Sequence, residues 1–338
     1  MKAVIAIDSF KGCLDSAGAA DAVAEGLAGH DCVVLPVSDG GEGFAAILTA
    51  ALGGTMVKAM AHDPLGRPVE ASYGIIGATA VIESAAASGL TLMQTGELDP
   101  LRASSRGTGE LIADAIRRGA RDIYVGFGGT GTNDGGAGML EALEPLRILW
   151  PECHFVALCD VSAVFCGPEG ATAIYGPQKG VRPDMVGQLD ARLRALAEQY
   201  RPILGRDVLT QPGSGAAGGM AGALWAVLGA ELKPGADAVL DILHFEDHIS
   251  GAGLVITGEG RIDAQTLQGK LPSVVARRAK AFSPTLRVIA LTGRNEISGQ
   301  QDLFDDIIQI TPAGTPLETA LEPSYARARL TEAATSII

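Results

Sequence analysis

Four short runs in this chain carry side chains able to bind an anion or move a proton. They are Asp8-Ser9-Phe10-Lys11, Asp39-Gly40-Gly41-Glu42, Gly128-Gly129-Thr130-Gly131-Thr132-Asn133-Asp134, and Glu259-Gly260-Arg261-Ile262-Asp263 with Lys270 a little further on. Carboxylates and hydroxyls together suit a hydrated Mg²⁺ and a substrate hydroxyl, and lysines such as Lys11 and Lys270 can neutralise phosphate oxygens. Any one run could be ordinary turn or capping chemistry. Four of similar character argue for a site.

Each run follows a stretch that reads as a buried strand. Lys2 to Ile7 is apolar and rich in β-branched residues, and a helix follows from about Asp15, with Ala17, Ala20, Val23, Ala24 and Leu27 on one face and Asp15 or Ser16 as its cap. Cys32 to Val37 is the next strand, and a helix then runs to Leu52. This βαβα opening implies a parallel sheet covered on both faces. The pattern recurs at 122–127, 254–257 and 288–291, each time before a glycine-bearing loop. In such a sheet ligands bind beyond the carboxyl ends of the strands, where these loops gather. Residues from about 56 to 92 suggest short strands around a turn at Asp63-Pro64-Leu65-Gly66, and 151–248 is mixed. The expected organisation is a doubly wound, Rossmann- or flavodoxin-like α/β domain from 1–58, 103–150 and 250–338. A second α/β domain, 59–102 with 151–249, would be inserted in two pieces.

Bulk properties exclude several classes. At 338 residues the chain suits about two domains. Its 45 glycines are close to twice average usage and have no collagen-like period, so they belong to tight turns and close backbone approaches. A formal net charge of −13 with no basic run argues against nucleic acid or an anionic membrane as partner. No apolar stretch nears the roughly 20 residues that span a bilayer, and the N-terminus does not read as a signal peptide. Five cysteines without a C-x-x-C pair fit a reduced, cytoplasmic protein.

Three other patterns need weighing. Gly126-Phe-Gly128-Gly-Thr-Gly131 matches G-x-G-x-x-G, and Asp160 could serve as a ribose-binding acid, which would suit an NAD(P)-dependent oxidoreductase. A second match, Gly213-Ser-Gly215-Ala-Ala-Gly218, lies elsewhere, and chance predicts roughly one in a chain so rich in glycine. Asp134 would also set a negative charge beside a pyrophosphate. The Gly213–Gly219 run is explained equally by phosphate contact and by close helix packing. His244 and His248 stand four apart, but their glutamate is not where H-E-x-x-H has it, and no third zinc ligand is near.

Taken in order, the motifs resemble the type I glycerate kinase family. The resemblance rests on Asp8-Ser9-Phe10-Lys11-Gly12, Ser38-Asp39-Gly40-Gly41-Glu42-Gly43, Asp63-Pro64-Leu65-Gly66, Gly107-Thr108-Gly109-Glu110, Thr132-Asn133-Asp134-Gly135-Gly136, Gly176-Pro177-Gln178-Lys179-Gly180 and Thr257-Gly258-Glu259-Gly260-Arg261-Ile262-Asp263 with Gly269-Lys270, and it covers nearly the whole chain. Ile7 stands where the family usually has proline, and the chain reaches Pro145 directly where relatives commonly carry an extra segment.

The resemblance implies ATP- and Mg²⁺-dependent phosphorylation of D-glycerate, with 2-phosphoglycerate the expected product and the site in a cleft between two α/β domains. It leaves a homodimer open. The expected catalytic residues are Asp8, Lys11, Asp39 and Asp263, with the proton-accepting carboxylate open among the three acids. Ser9, Glu42, Gly128, Gly129, Thr130, Thr132, Asn133, Lys179, Glu259, Arg261 and Lys270 are expected to hold substrate or phosphate, and Asp134 and Asp160 the metal. A non-catalytic binding protein of the same fold would have no use for charged side chains at so many strand ends.

Overall fold

The computed structural model describes residues 1–38, 40–41, 43–264, 266–297 and 302–337. In chain order the strands are β1 (Lys2–Ile5), β2 (Asp31–Val34), β3 (Thr55–His62), β4 (Pro68–Ile76), β5 (Thr79–Glu83), β6 (Asp122–Gly126), β7 (His154–Leu158), β8 (Glu231–Lys233), β9 (Leu254–Ile262), β10 (Arg287–Asn295) and β11 (Asp306–Gln309). They form two sheets in two compact units, one of Met1–Asp39 with Ala236–Ile338, the other of Gly40–Gly235.

The first unit is built on a wholly parallel sheet in the order β11-β10-β9-β1-β2. Numbered within the unit this is the flavodoxin-type order 2-1-3-4-5, whose direction reverses between β1 and β9. Burial on both faces explains why Ala3 to Ile7 are unbroken apolar residues with no exposure at all. Asp15 caps the helix Ser16–Gly26, its side chain accepting from the Gly18 N–H at 2.7 Å. Ser16 instead ties down the end of the first strand segment, donating to the Ile7 carbonyl at 2.7 Å and accepting from the Val37 N–H.

The second unit has a six-stranded sheet in the order β3-β4-β5-β6-β7-β8, antiparallel from β3 to β5 and parallel from β5 to β8. Asp63 closes the β3–β4 hairpin as expected for its turn, accepting from the Leu65 and Arg67 N–H groups and from the Arg67 side chain. The core of this unit centres on Tyr73, Ile82, Leu111, Ile112, Phe155 and Phe165.

The domain boundaries differ from the expected ones. The strand at 122–126 pairs with β5 and β7, so 103–150 belongs to the second sheet and the insertion is one continuous piece. A buried parallel strand followed by a glycine loop looks alike in either sheet, and its pairing partner leaves no local trace. Among the described residues no helix is long and apolar enough to cross a membrane.

Candidate active site

The first unit's site lies where its strand order reverses. Asp8 follows β1, and its main-chain N–H donates to the Gly258 carbonyl at 2.9 Å. Its carboxylate accepts from the Ser9 N–H at 2.7 Å, and only 8% of the residue is exposed. Phe10 and Leu14 then pair across a tight loop with Phe10 buried, which leaves Lys11 and Gly12 at the exposed tip.

On the neighbouring strand, Gly258 approaches β10 so closely that a Cβ there would sit 1.9 Å from the Leu291 carbonyl oxygen. Only glycine permits that approach, which sets Glu259 and Arg261 at the end of β9 and Asp263 just beyond it in fixed directions. The Lys270 ammonium lies 3.6 Å from Glu259 and 3.6 Å from Asp263. Thr266 donates its hydroxyl to Glu259 at 2.7 Å, and Arg261 lies 3.4 Å from Asp263. Burial pushes the Glu259 carboxyl above the usual carboxylate range, against the opposing pull of the Thr266 hydrogen bond and the Lys270 charge.

Asp8, Ser9, Lys11, Glu259, Arg261 and Lys270 all line one cavity of ≈ 830 Å³. Asp263 lines an adjoining hollow with Arg261, Lys270 and Glu296. Seven of the residues singled out by type and spacing therefore gather at one strand-end crevice. Asp39 and Glu42 lie outside the described residues.

Arg294 and Glu296 were missed by the sequence reading. Glu296 contacts both guanidiniums, 2.9 Å from Arg261 and 2.9 Å from Arg294. Their i, i+2 spacing as β10 ends was the available signal, because alternate residues of an extended chain share a face.

The second unit's predicted residues sit differently. Gly128 and Gly129 are exposed beyond β6, but residues 130–136 are buried. Thr130 donates to the Phe127 carbonyl and contacts the Ser84 hydroxyl. Main-chain N–H groups expected to face phosphate are already used, Gly131 on Ser88, Gly135 on Gly218 and Gly136 on Asp134.

Asp134 is a correction to the metal assignment. One of its oxygens accepts from the Ser105 N–H and hydroxyl and from the Gly138 N–H, and the other accepts from Gly136, with the residue 2% exposed. These bonds tie together the starts of the helices Arg106–Arg117 and Ala137–Leu143, so both carboxylate oxygens are already engaged as an internal cap. Asp160 is exposed after β7 and accepts from the Gly235 N–H.

Lys179 is likewise interior. Its ammonium donates to the Thr132 carbonyl at 2.7 Å, and burial lowers its pKa to about 8, partly opposed by the charge of Asp134. Asn133 donates to the Thr172 hydroxyl. Thr132 Oγ1 and Asn133 Oδ1 are buried with no hydrogen-bond partner among the described residues.

Several of the resembling motifs thus do structural work. A Cβ at Gly107 would lie 2.0 Å from the His62 carbonyl oxygen, and one at Gly218 would lie 2.1 Å from that of Thr132. Within the buried Gly213–Gly219 run, Gly218 packs against the Thr132–Asn133 turn, Gly215 against the Val164 carbonyl and Gly213 against Cys159. That removes the second dinucleotide fingerprint as a phosphate loop. His244 lies outside the short helix Phe245–Ile249, so the two histidines lack helical i, i+4 geometry. Among the described residues no three His, Cys, Asp or Glu side chains cluster as metal ligands would.

Comparison with known proteins agrees with the motif order. Residues 3–146 and 144–338 match the glycerate kinase family. The chain is 40% identical to a glycerate kinase of Bacillus subtilis, covering 95% of this chain and 93% of that one. It is 41% identical to glycerate 2-kinase of Escherichia coli, covering 96% and 94%. A crystal structure provisionally named glycerate kinase 2, from Salmonella typhimurium LT2, superposes with a TM-score of 0.89 at 38% identity, covering 100% of this chain and 97% of that one.

Proposed function

The chain belongs to the glycerate kinase family, and from that premise we propose that it transfers the terminal phosphoryl group of ATP to the 2-hydroxyl of D-glycerate, giving 2-phosphoglycerate and ADP. The observation that carries the residue assignment is the convergence of Asp8, Lys11, Glu259, Arg261 and Lys270 on one cavity at the switch point of a parallel sheet.

Phosphoryl transfer depends on positioning and charge neutralisation more than on covalent chemistry by the protein. The glycerate hydroxyl oxygen forms a bond to the γ-phosphorus while the bond from that phosphorus to the β,γ-bridging oxygen breaks. Asp8 accepts the hydroxyl proton. It suits that role because its main chain is held by the Gly258 carbonyl and its carboxylate by the Ser9 N–H at the cavity wall. Lys11, Arg261 and Lys270 offset phosphate and carboxylate charge.

Mg²⁺ takes oxygen donors, and Glu259 and Asp263 offer them beside the cavity, which fits the ion better than the saturated Asp134 does. When bound, the ion would neutralise phosphate charge. The test is incubation with ATP, Mg²⁺ and a panel of small hydroxy acids, with products identified by NMR. The expected result is ADP and 2-phosphoglycerate from glycerate, abolished by EDTA and restored by excess Mg²⁺. Turnover of another hydroxy acid in place of glycerate would overturn the substrate, and full activity in EDTA would overturn the metal.

A further inference from the structure

The cavity beside Asp8 is far larger than glycerate needs. At ≈ 830 Å³ it lies in the range of about 300–1,000 Å³ that encloses ligands of drug size. Its lining has two characters. Four cations, Lys11, Arg261, Lys270 and Arg294, face it with two carboxylates, Asp8 and Glu259. Asp263 and Glu296 pair with three of these cations from the adjoining hollow, so the lining is a charged cluster whose lysine and guanidinium groups can meet phosphate oxygens.

The other character is apolar. The segment that follows β11 contributes Ile310, Pro312, Leu317 and Leu321. Leu317 is 73% exposed and Leu321 38%, so both leave apolar surface open beside the cavity. The segment rests on the Lys11 loop: a Cβ at Gly12 would lie 4.0 Å from a Leu321 methyl, and the Cys13 thiol points to the Ala320 carbonyl. An apolar wall and the cationic loop are therefore adjacent parts of one cavity.

We propose that this wall is the nucleobase subsite, with the adenine of ATP lying against Leu317 and Leu321 and its triphosphate directed to Lys11, Arg261 and Lys270. A flat, weakly polar ring covers exposed leucine, and only a ligand with both a ring and a chain of phosphates uses both halves of the lining. Glycerate, small and fully polar, uses neither the volume nor the wall. The inference rests on the kinase reading, and it assigns the nucleotide to the first unit.

The test compares wild type with Leu317→Asp, Leu317→Phe and Ile148→Asp. Ile148 is 85% exposed in the second unit and serves as a control for an added surface charge. ATP binding without glycerate is measured by titration calorimetry, and KM for each substrate by steady-state kinetics. L317D should weaken ATP binding and raise the ATP KM about tenfold or more, with the glycerate KM and kcat within about twofold. L317F should bind ATP at least as tightly as wild type, and I148D should match wild type throughout. Unchanged ATP constants in L317D, or a rise in the glycerate KM alone, would overturn the subsite. If wild type phosphorylates no hydroxy acid, the kinase reading fails, and calorimetry still decides whether ATP uses this wall.

Discussion

The Lys179 ammonium donates to the main-chain carbonyl of Thr132 across 2.7 Å, in a place where only 2% of the lysine is exposed. Burial lowers its pKa from 10.5 to about 8. Between those values the unfolded chain binds more protons at this site than the folded one, so the site's contribution to stability rises with pH from about 8 to 10.5. Below pH 8 the folded protein carries the full penalty of a buried charge, about 3 kcal/mol. Lys179→Met removes the titration. Urea unfolding at several pH values should show wild type gaining stability over K179M by roughly that amount between pH 7.5 and 10.5. Parallel curves for the two proteins would show that Lys179 titrates normally.

Lys11 stands at the exposed tip of the loop after β1, beside the cavity. As a solvated turn residue its replacement would change stability by no more than about 0.5 kcal/mol and leave turnover alone. As a phosphate-neutralising group, Lys11→Met should lower kcat/KM on the order of 10²-fold with the thermal midpoint preserved. Turnover within about threefold of wild type would remove Lys11 from the site.

Glu296 contacts two guanidiniums that would otherwise repel each other, those of Arg261 and Arg294. Glu296→Gln keeps the shape and removes the charge. We expect the KM of an anionic substrate to rise about fivefold with kcat nearly constant, and the difference to shrink in high salt as screening weakens both repulsion and attraction. Glu296→Asp should recover part of the loss. Equal falls in kcat and thermal midpoint would mean that Glu296 supports the fold rather than the arginines.

Gly258 makes the site possible by letting β9 and β10 meet. A methyl group would sit 1.9 Å from the Leu291 carbonyl oxygen, a main-chain atom of the central sheet that cannot yield locally. Gly258→Ala should therefore destabilise the protein by about 3 kcal/mol or more, read as a fall in the urea midpoint. A variant as stable as wild type would show that the strands separate easily here.

The charged residues of the candidate site were legible in the chain itself. Carboxylates and lysines placed just past apolar, β-branched runs are at strand ends whatever the sheet order, which is why Asp8, Lys11, Glu259, Arg261, Asp263 and Lys270 could be named from type and spacing and are found around one crevice. Tertiary structure alone decided two other matters. Hydrophobic periodicity reports that a strand is buried but not which strand lies beside it, so the membership of β6 in the second sheet waited for its pairing with β5 and β7. A polar residue in a glycine-rich turn looks the same in sequence whether it faces solvent or a neighbouring backbone. Asp134 and Lys179 are interior because the helix ends at Ser105 and Gly136 and the carbonyl of Thr132 converge on them, and that convergence exists only once the chain has packed.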